Sequence, residues 1–157
     1  MKNCILLLAF YFLLSSPCFA DNLTAIKAIN KKVSDIEKLK GGLSSLELKL
    51  DTEATEAVPP EMVFYYSPES MELLILQVTV GHEVFSTRHT YYLNNNRVIK
   101  YLKEIDGRSD SPPKSAIIYN DKGVVLWKNI TEPVVSVSDV VSLFKFNFNT
   151  LKQFSKY

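Results

Sequence analysis

The sequence predicts an α+β fold in which an antiparallel meander of about six or seven strands packs against an N-terminal and a C-terminal helix. Three features of the chain support this fold. Apolar residues recur at helical spacing near both ends, they alternate with polar residues in between, and the turns between the alternating segments are too short for parallel crossovers. A chain of 157 residues with 46% apolar content fits one domain that buries its own core.

The first twenty residues have the pattern of a secretory signal peptide. Lys2 precedes an apolar run over residues 4–14, and Cys18 and Ala20 are the small residues before a cleavage site. The run would span about 16 Å as a helix, against about 30 Å for the hydrocarbon core of a bilayer, although a retained anchor stays open. We expect residues 1–20 to be removed and residues 21–157 to form a single α+β domain that is secreted or periplasmic.

Cleavage changes the charge and the cysteine count. Lys2 is the only charged residue of the leader, so the net charge of +1 becomes zero, and both cysteines leave with the leader. A neutral chain gives no reason to expect nucleic-acid binding. We therefore expect no nucleic-acid partner, no transmembrane span after cleavage and no disulfide in the exported protein.

Helical spacing is clear over residues 22–40, where the apolar residues fall on one face and Gly41-Gly42 can end the helix. The basic residues of this segment, including Lys31 and Lys32, favour a solvated face over a membrane-binding or anion-binding one. Near the other end, residues 137–154 also have helical spacing, but the alternation in Phe144 to Asn149 leaves an edge strand open there.

The strands are separated by short turn signals. Asn94-Asn95-Asn96 predicts a tight hairpin, because asparagine tolerates the left-handed backbone conformation. Residues 106–114 predict a polar surface loop, and residues 120–123 predict another hairpin. The predicted strands cover residues 46–50, 62–67, 71–80, 84–93, 97–105, 115–120 and 124–129.

The mature chain offers few groups for catalysis. It has no thiol, no G-x-S-x-G elbow and no glycine-rich phosphate loop. His82 and His89 lack the spacing of a metalloprotease helix, and we expect His82 in a solvated turn and His89 on the polar face of a strand. We therefore predict no catalytic residue, no metal ligand and no cofactor.

Tyrosines are frequent in the predicted strands, and adjacent pairs must point to opposite faces. One interpretation is that they pack across strands on an open face of the sheet. The other is that this open face binds a partner, since Tyr, Trp and Arg dominate interface hot spots. The candidate binding residues for that surface are Arg88, Tyr92, Arg97 and Tyr101.

Residues 52–104 resemble a pattern of small bacterial secreted proteins and lipoproteins that have no settled activity. The matching segments are Thr52 to Glu56, Tyr65-Tyr66, Gly81-His82-Glu83, and Tyr91 to Val98. The resemblance implies an N-terminal helix followed by an antiparallel meander in an exported protein. It implies no catalytic residues.

These features favour an exported, non-enzymatic binding module of the cell envelope or extracellular space, such as an inhibitor, an immunity-type protein or an accessory factor. Its partner would be another envelope or extracellular protein. One alternative is a small carboxylate-dependent hydrolase acting on cell-wall or glycan material. Another is a structural envelope protein without a discrete ligand.

Overall fold

The computed structural model of the chain describes residues 17–49, 60–81, 85–106 and 114–130, together with Ser142 and Lys145. Within these residues there is one open sheet of seven antiparallel strands and one long helix, so the fold is mostly β. The antiparallel sheet with a helix is confirmed. The predicted segment at residues 137–154 lies outside the described residues, apart from Ser142 and Lys145, which are helical and exposed.

The helix, α1 (Pro17–Leu39), continues into a 3-10 turn at Lys40–Gly42. It covers the segment predicted as helical except for Lys40, and it begins inside the predicted leader, whose residues 1–16 lie outside the described residues. No helix in the described part of the chain is long and apolar enough to cross a membrane.

The strands follow one another in the sheet in chain order, so each one pairs with its sequence neighbours. This is the predicted meander, and short connections force it because they leave no room for a crossover. The strands are β1 (Ser44–Lys49), β2 (Glu61–Tyr66), β3 (Leu73–Gly81), β4 (Ser86–Asn94), β5 (Arg97–Asp106), β6 (Ser115–Tyr119) and β7 (Val125–Lys128).

The turns at one end of the sheet depend on asparagine. Asn95 and Asn96 connect β4 to β5 with φ angles of 50° and 58°, the left-handed pair that a two-residue hairpin requires. Between β6 and β7, the Asn120 side chain accepts hydrogen bonds from the backbone N–H groups of Lys122 at 2.9 Å and Val124 at 2.8 Å. The asparagine signals in the sequence therefore correspond to real hairpins.

Helix α1 packs across one face of the sheet, the helix face. Val33 and Ile36 of the helix are buried there against Ile75, Tyr92 and Ile99. Polar contacts add to this apolar contact: the Lys100 ammonium donates to Asn30 Oδ1 at 2.8 Å, and the Lys40 ammonium lies 4.6 Å from the centre of the Tyr65 ring.

A β-bulge in β5 shapes this contact. Tyr92 pairs with Lys100 and Leu93 pairs with Val98, so Ile99 is the extra residue. As a result two consecutive side chains, Ile99 and Lys100, both contact the helix.

The second face of the sheet is also buried over the central strands. Its core consists of residues from β2 to β6, and Tyr91 and Tyr101 are the largest of the fully buried side chains. The expectation that the tyrosines lie on an open face therefore does not match the structure in this region. The other buried members of this core are Phe64, Leu73, Leu76, Val78, Leu93, Val98, Ile117 and Tyr119.

His89 belongs to this second face, where it is only 5% exposed. Its Nδ1 atom shares a 2.8 Å hydrogen bond with the Tyr101 hydroxyl, and the two rings stack with centroids 6.1 Å apart. The expected position of His89 on a polar face is therefore wrong, because a tyrosine on the next strand satisfies the imidazole inside the core. His82 lies outside the described residues.

Candidate functional site

A cleft of about 510 Å³ opens where helix α1 passes the end of the sheet. One wall comes from Ala28, Ile29 and Lys32, which fall on one side of the helix because Lys32 is three residues from Ile29 and four from Ala28. The facing wall comes from the β4–β5 hairpin and the start of β5, and the β6–β7 connection closes one side. Those residues are Asn94, Asn95, Arg97, Ile99, Tyr119 and Asp121.

Hydrogen bonds hold the sheet side of the cleft in place. The Arg97 guanidinium donates to the backbone carbonyl of Asp121, which ties the β4–β5 hairpin to the β6–β7 turn. The backbone N–H of Asn95 donates to Glu72 Oε1 at 2.7 Å, which ties the same hairpin to the β2–β3 turn. Three turns are thereby joined at one end of the sheet, so this wall of the cleft is preformed.

The cleft combines an apolar floor with a charged rim. Ile29 and the buried Ile99 form the floor, whereas Lys32, Arg97 and Asp121 are exposed. Tyr119 also lines the cleft at the end of β6, although its side chain belongs to the core of the second face. Burial raises the pKa of the Tyr119 hydroxyl, so this group stays neutral at physiological pH. Two cations and one carboxylate leave the lining with a net positive charge.

The four candidate residues from the sequence do not form one surface. Arg97 lies in the cleft, but Tyr92 is buried beneath helix α1 and Tyr101 is buried on the second face. Arg88 lies near the far end of the sheet, where it forms a 3.1 Å ion pair with Asp106. Strand β5 spans about 30 Å from Arg97 to Asp106, so Arg97 and Arg88 lie at opposite ends of the sheet.

Apart from Arg97 and the asparagine turn, the cleft residues are not candidates in the sequence. Lys32 belongs to a helix face that the sequence predicts to be solvated, and Ile99 follows the strand pattern of any core residue. Local sequence carries no signal for their meeting, because it depends on the path of the helix across the sheet. The asparagine hairpin was the one usable signal, since it places Arg97 directly after a turn.

Among the described carboxylates, Asp121 lines the cleft and Glu72 accepts from the Asn95 backbone N–H beside it, whereas Glu104 and Asp106 are engaged away from it. Glu104 forms an ion pair with Lys114, and Asp106 forms one with Arg88, at the end of the sheet away from the cleft. The hydrogen bond to Glu104 raises the pKa of the exposed Lys114 ammonium. In the described ranges, no group of three His, Cys, Asp or Glu side chains could hold a metal ion.

Comparison of the chain with protein-family models, with curated proteins and with solved structures gives no match in any of the three. The cleft and the fold that forms it are therefore the basis on which a function can be argued.

Proposed function

We propose that the chain is an exported, non-enzymatic binding module that works in the periplasm or outside the cell and holds a ligand in the cleft beside helix α1. The cleft is the observation that carries the proposal. Its volume of about 510 Å³ lies in the range of about 300–1,000 Å³ that small-molecule sites occupy. The pattern of an apolar floor with a few polar groups at the rim is also typical of such sites.

Preorganisation of the sheet side supports the same proposal. Arg97 and Asn95 are held by contacts to Asp121 and Glu72, so these groups need little reordering when a ligand binds. A ligand that finds its polar partners in place avoids much of the entropic cost of ordering side chains.

The hydrolase alternative has less support. Glycoside hydrolysis needs two carboxyl groups about 5–10 Å apart that flank the scissile bond, one of them protonated. Among the described residues, Asp121 is the one carboxylate that lines the cleft, and Glu104 and Asp106 are each bound to a cation away from it.

The test is whether the protein retains a small molecule from its own compartment. The protein would be produced with its leader, purified from envelope extract, and denatured so that released molecules can be identified by mass spectrometry. Ala28→Trp places a large ring into the cleft from the helix wall. Ser34→Trp is the matched control, because Ser34 is exposed on the opposite side of the same helix.

We expect the unmodified protein and the Ser34→Trp variant to release the same compound, and the Ala28→Trp variant to release at least tenfold less. Equal release from all three proteins would overturn the cleft as the site. Release of nothing by any of them, with no binding of added ligands, would favour a structural envelope protein instead.

A further inference from the structure

The charge on the cleft rim indicates what kind of ligand it takes. Lys32 forms no ion pair with any other described residue, and the Arg97 guanidinium contacts the backbone carbonyl of Asp121 rather than its carboxylate. A guanidinium has five N–H donors, so a single bond to a carbonyl leaves most of them available. Both cations therefore face the cleft without a carboxylate partner among the described side chains.

The contrast with the other end of the sheet strengthens this interpretation. There, Arg88 is neutralised by Asp106 and Lys114 by Glu104. Of the two arginines that the structure describes, Arg97 is the one without a carboxylate partner. A planar guanidinium fork matches the two oxygens of a carboxylate or phosphate, and a lysine ammonium adds a point charge beside it.

The floor of the cleft sets a second requirement. Ala28, Ile29 and Ile99 present apolar surface to the cleft. A small inorganic anion would leave this apolar surface exposed to water. A ligand with a short hydrocarbon part would cover it, at about 25 cal/mol for each Å² of apolar surface removed from water.

We infer that the ligand is a small amphipathic anion, in which a carboxylate or phosphate group lies between Lys32 and Arg97 and a short apolar chain lies on Ile29 and Ile99. This inference rests on the proposed function, because it names the ligand class of the same cleft. The Asn94 and Asn95 amides lie at the rim, where they can hydrogen bond to the anionic group.

The test uses the exported chain and a set of eight-carbon probes below their micellar concentrations. Octanoate and octyl phosphate carry an anionic group on an alkyl chain. Octan-1-ol and octylammonium carry the alkyl chain without an anionic group, and inorganic phosphate is an anion without an alkyl chain. Dissociation constants would be measured by calorimetry, with the backbone amide shifts of Asn95 and Arg97 reporting the site.

The variant Lys32→Gln/Arg97→Gln removes both rim cations. Its matched control is Lys31→Gln/Arg88→Gln, which removes one lysine and one arginine outside the cleft and so has the same net charge. This pairing separates a local contact from a general electrostatic effect. Thermal unfolding would show that both variants are folded.

We expect octanoate or octyl phosphate to bind at least tenfold more tightly than octan-1-ol, octylammonium or inorganic phosphate. The cleft variant should lose at least tenfold in affinity for the anionic probe, and the control should stay within about twofold. Binding should also weaken as sodium chloride is added, because salt screens exposed charges. Whichever anionic probe binds more tightly identifies the head group.

If octan-1-ol bound as tightly as the anionic probes, the inferred anionic group would be wrong. If inorganic phosphate bound as tightly as they do, the inferred apolar part of the ligand would be wrong. Unchanged octanoate binding by the cleft variant would overturn the assigned cations. If none of the probes binds while the unmodified protein still releases a compound in the retention experiment, the ligand class is wrong and the proposed function stands. If both experiments are negative, the proposed function fails as well.

Discussion

The Tyr92 hydroxyl donates a 2.6 Å hydrogen bond to Glu37 Oε1, which joins strand β4 to helix α1 across 55 residues of sequence. Tyr92 is 6% exposed, so its hydroxyl is largely removed from water and depends on this acceptor. Burial, followed by the bond to Glu37, raises the pKa of Tyr92 above its usual value of about 10. The hydroxyl therefore donates throughout the physiological pH range.

Loss of this bond should weaken the contact between helix and sheet. We expect Tyr92→Phe to lower the free energy of unfolding by about 1 kcal/mol, a typical net value for one hydrogen bond. Urea denaturation followed by circular dichroism measures it. Glu37→Ala and the double variant complete a cycle, and additive effects of the two single changes would contradict a direct interaction.

Tyr101 should make the stability fall in alkaline solution. Burial, with a smaller contribution from Tyr119, raises the pKa of Tyr101 to about 12, against about 10 in the unfolded chain. Because the folded-state pKa is the higher one, this stabilisation is full below pH 10 and is lost as the pH rises from 10 towards 12. Absorbance at 295 nm should show native tyrosines titrating in that window, and a single transition near pH 10 would contradict it.

His89 should make the free energy of unfolding fall in acidic solution. Burial, followed by the nearby Lys103 charge, lowers the pKa of His89 below 6.5. The unfolded chain then binds a proton more readily, so the stabilisation is present above pH 6.5 and is lost as the pH falls below it. We expect the free energy of unfolding to decrease between pH 7.5 and pH 5.5, and His89→Gln to flatten that slope. Equal slopes for the two proteins would refute the assignment.

The β4–β5 hairpin offers a test of backbone conformation. Asn96 has a φ of 58°, which alanine adopts only at a cost of about 1–2 kcal/mol and glycine adopts freely. We expect Asn96→Ala to lower the melting temperature clearly and Asn96→Gly to leave it near that of the unmodified protein. Asn96 is exposed and outside the cleft lining. The difference in melting temperature between the alanine and glycine variants therefore reports the cost of the backbone conformation, separately from packing or ligand contacts.

The proposed export predicts a shortened chain. We expect the recovered protein to begin at Asp21 and to contain neither Cys4 nor Cys18, so that reductant leaves its melting temperature unchanged. Intact mass measurement checks the start. A mass that includes the leader, or that carries a lipid on Cys18, would show that the chain is anchored instead.

Sequence patterns predicted the order and approximate bounds of the strands, because short turns with strong local signals separate them. Asn95 and Asn96 are the clearest case, since their left-handed conformation is a property of the residues themselves. Such signals act over a few residues and need no knowledge of the rest of the fold.

The environment of individual side chains was much less predictable. Strand alternation correctly separates Tyr91 from Tyr92, but both are buried because both faces of the central strands are covered. The cleft could not be predicted from the sequence for a related reason. Lys32 and Arg97 line the same cleft only because the helix crosses the sheet at that point, and no local pattern encodes the direction of a helix.

The order of strands in the sheet has a consequence for the order of folding. Each hairpin can form as soon as its two strands have been synthesised, because every strand pairs with its neighbour in the chain. Helix α1 emerges first, yet its contacts at Tyr92 and Lys100 lie 55 and 70 residues further along the chain. Such distant contacts are slow to close. The apolar stripe of the helix therefore stays uncovered until β5 has been synthesised, which makes this interval the one in which the chain exposes the side chains that later pack beneath the helix.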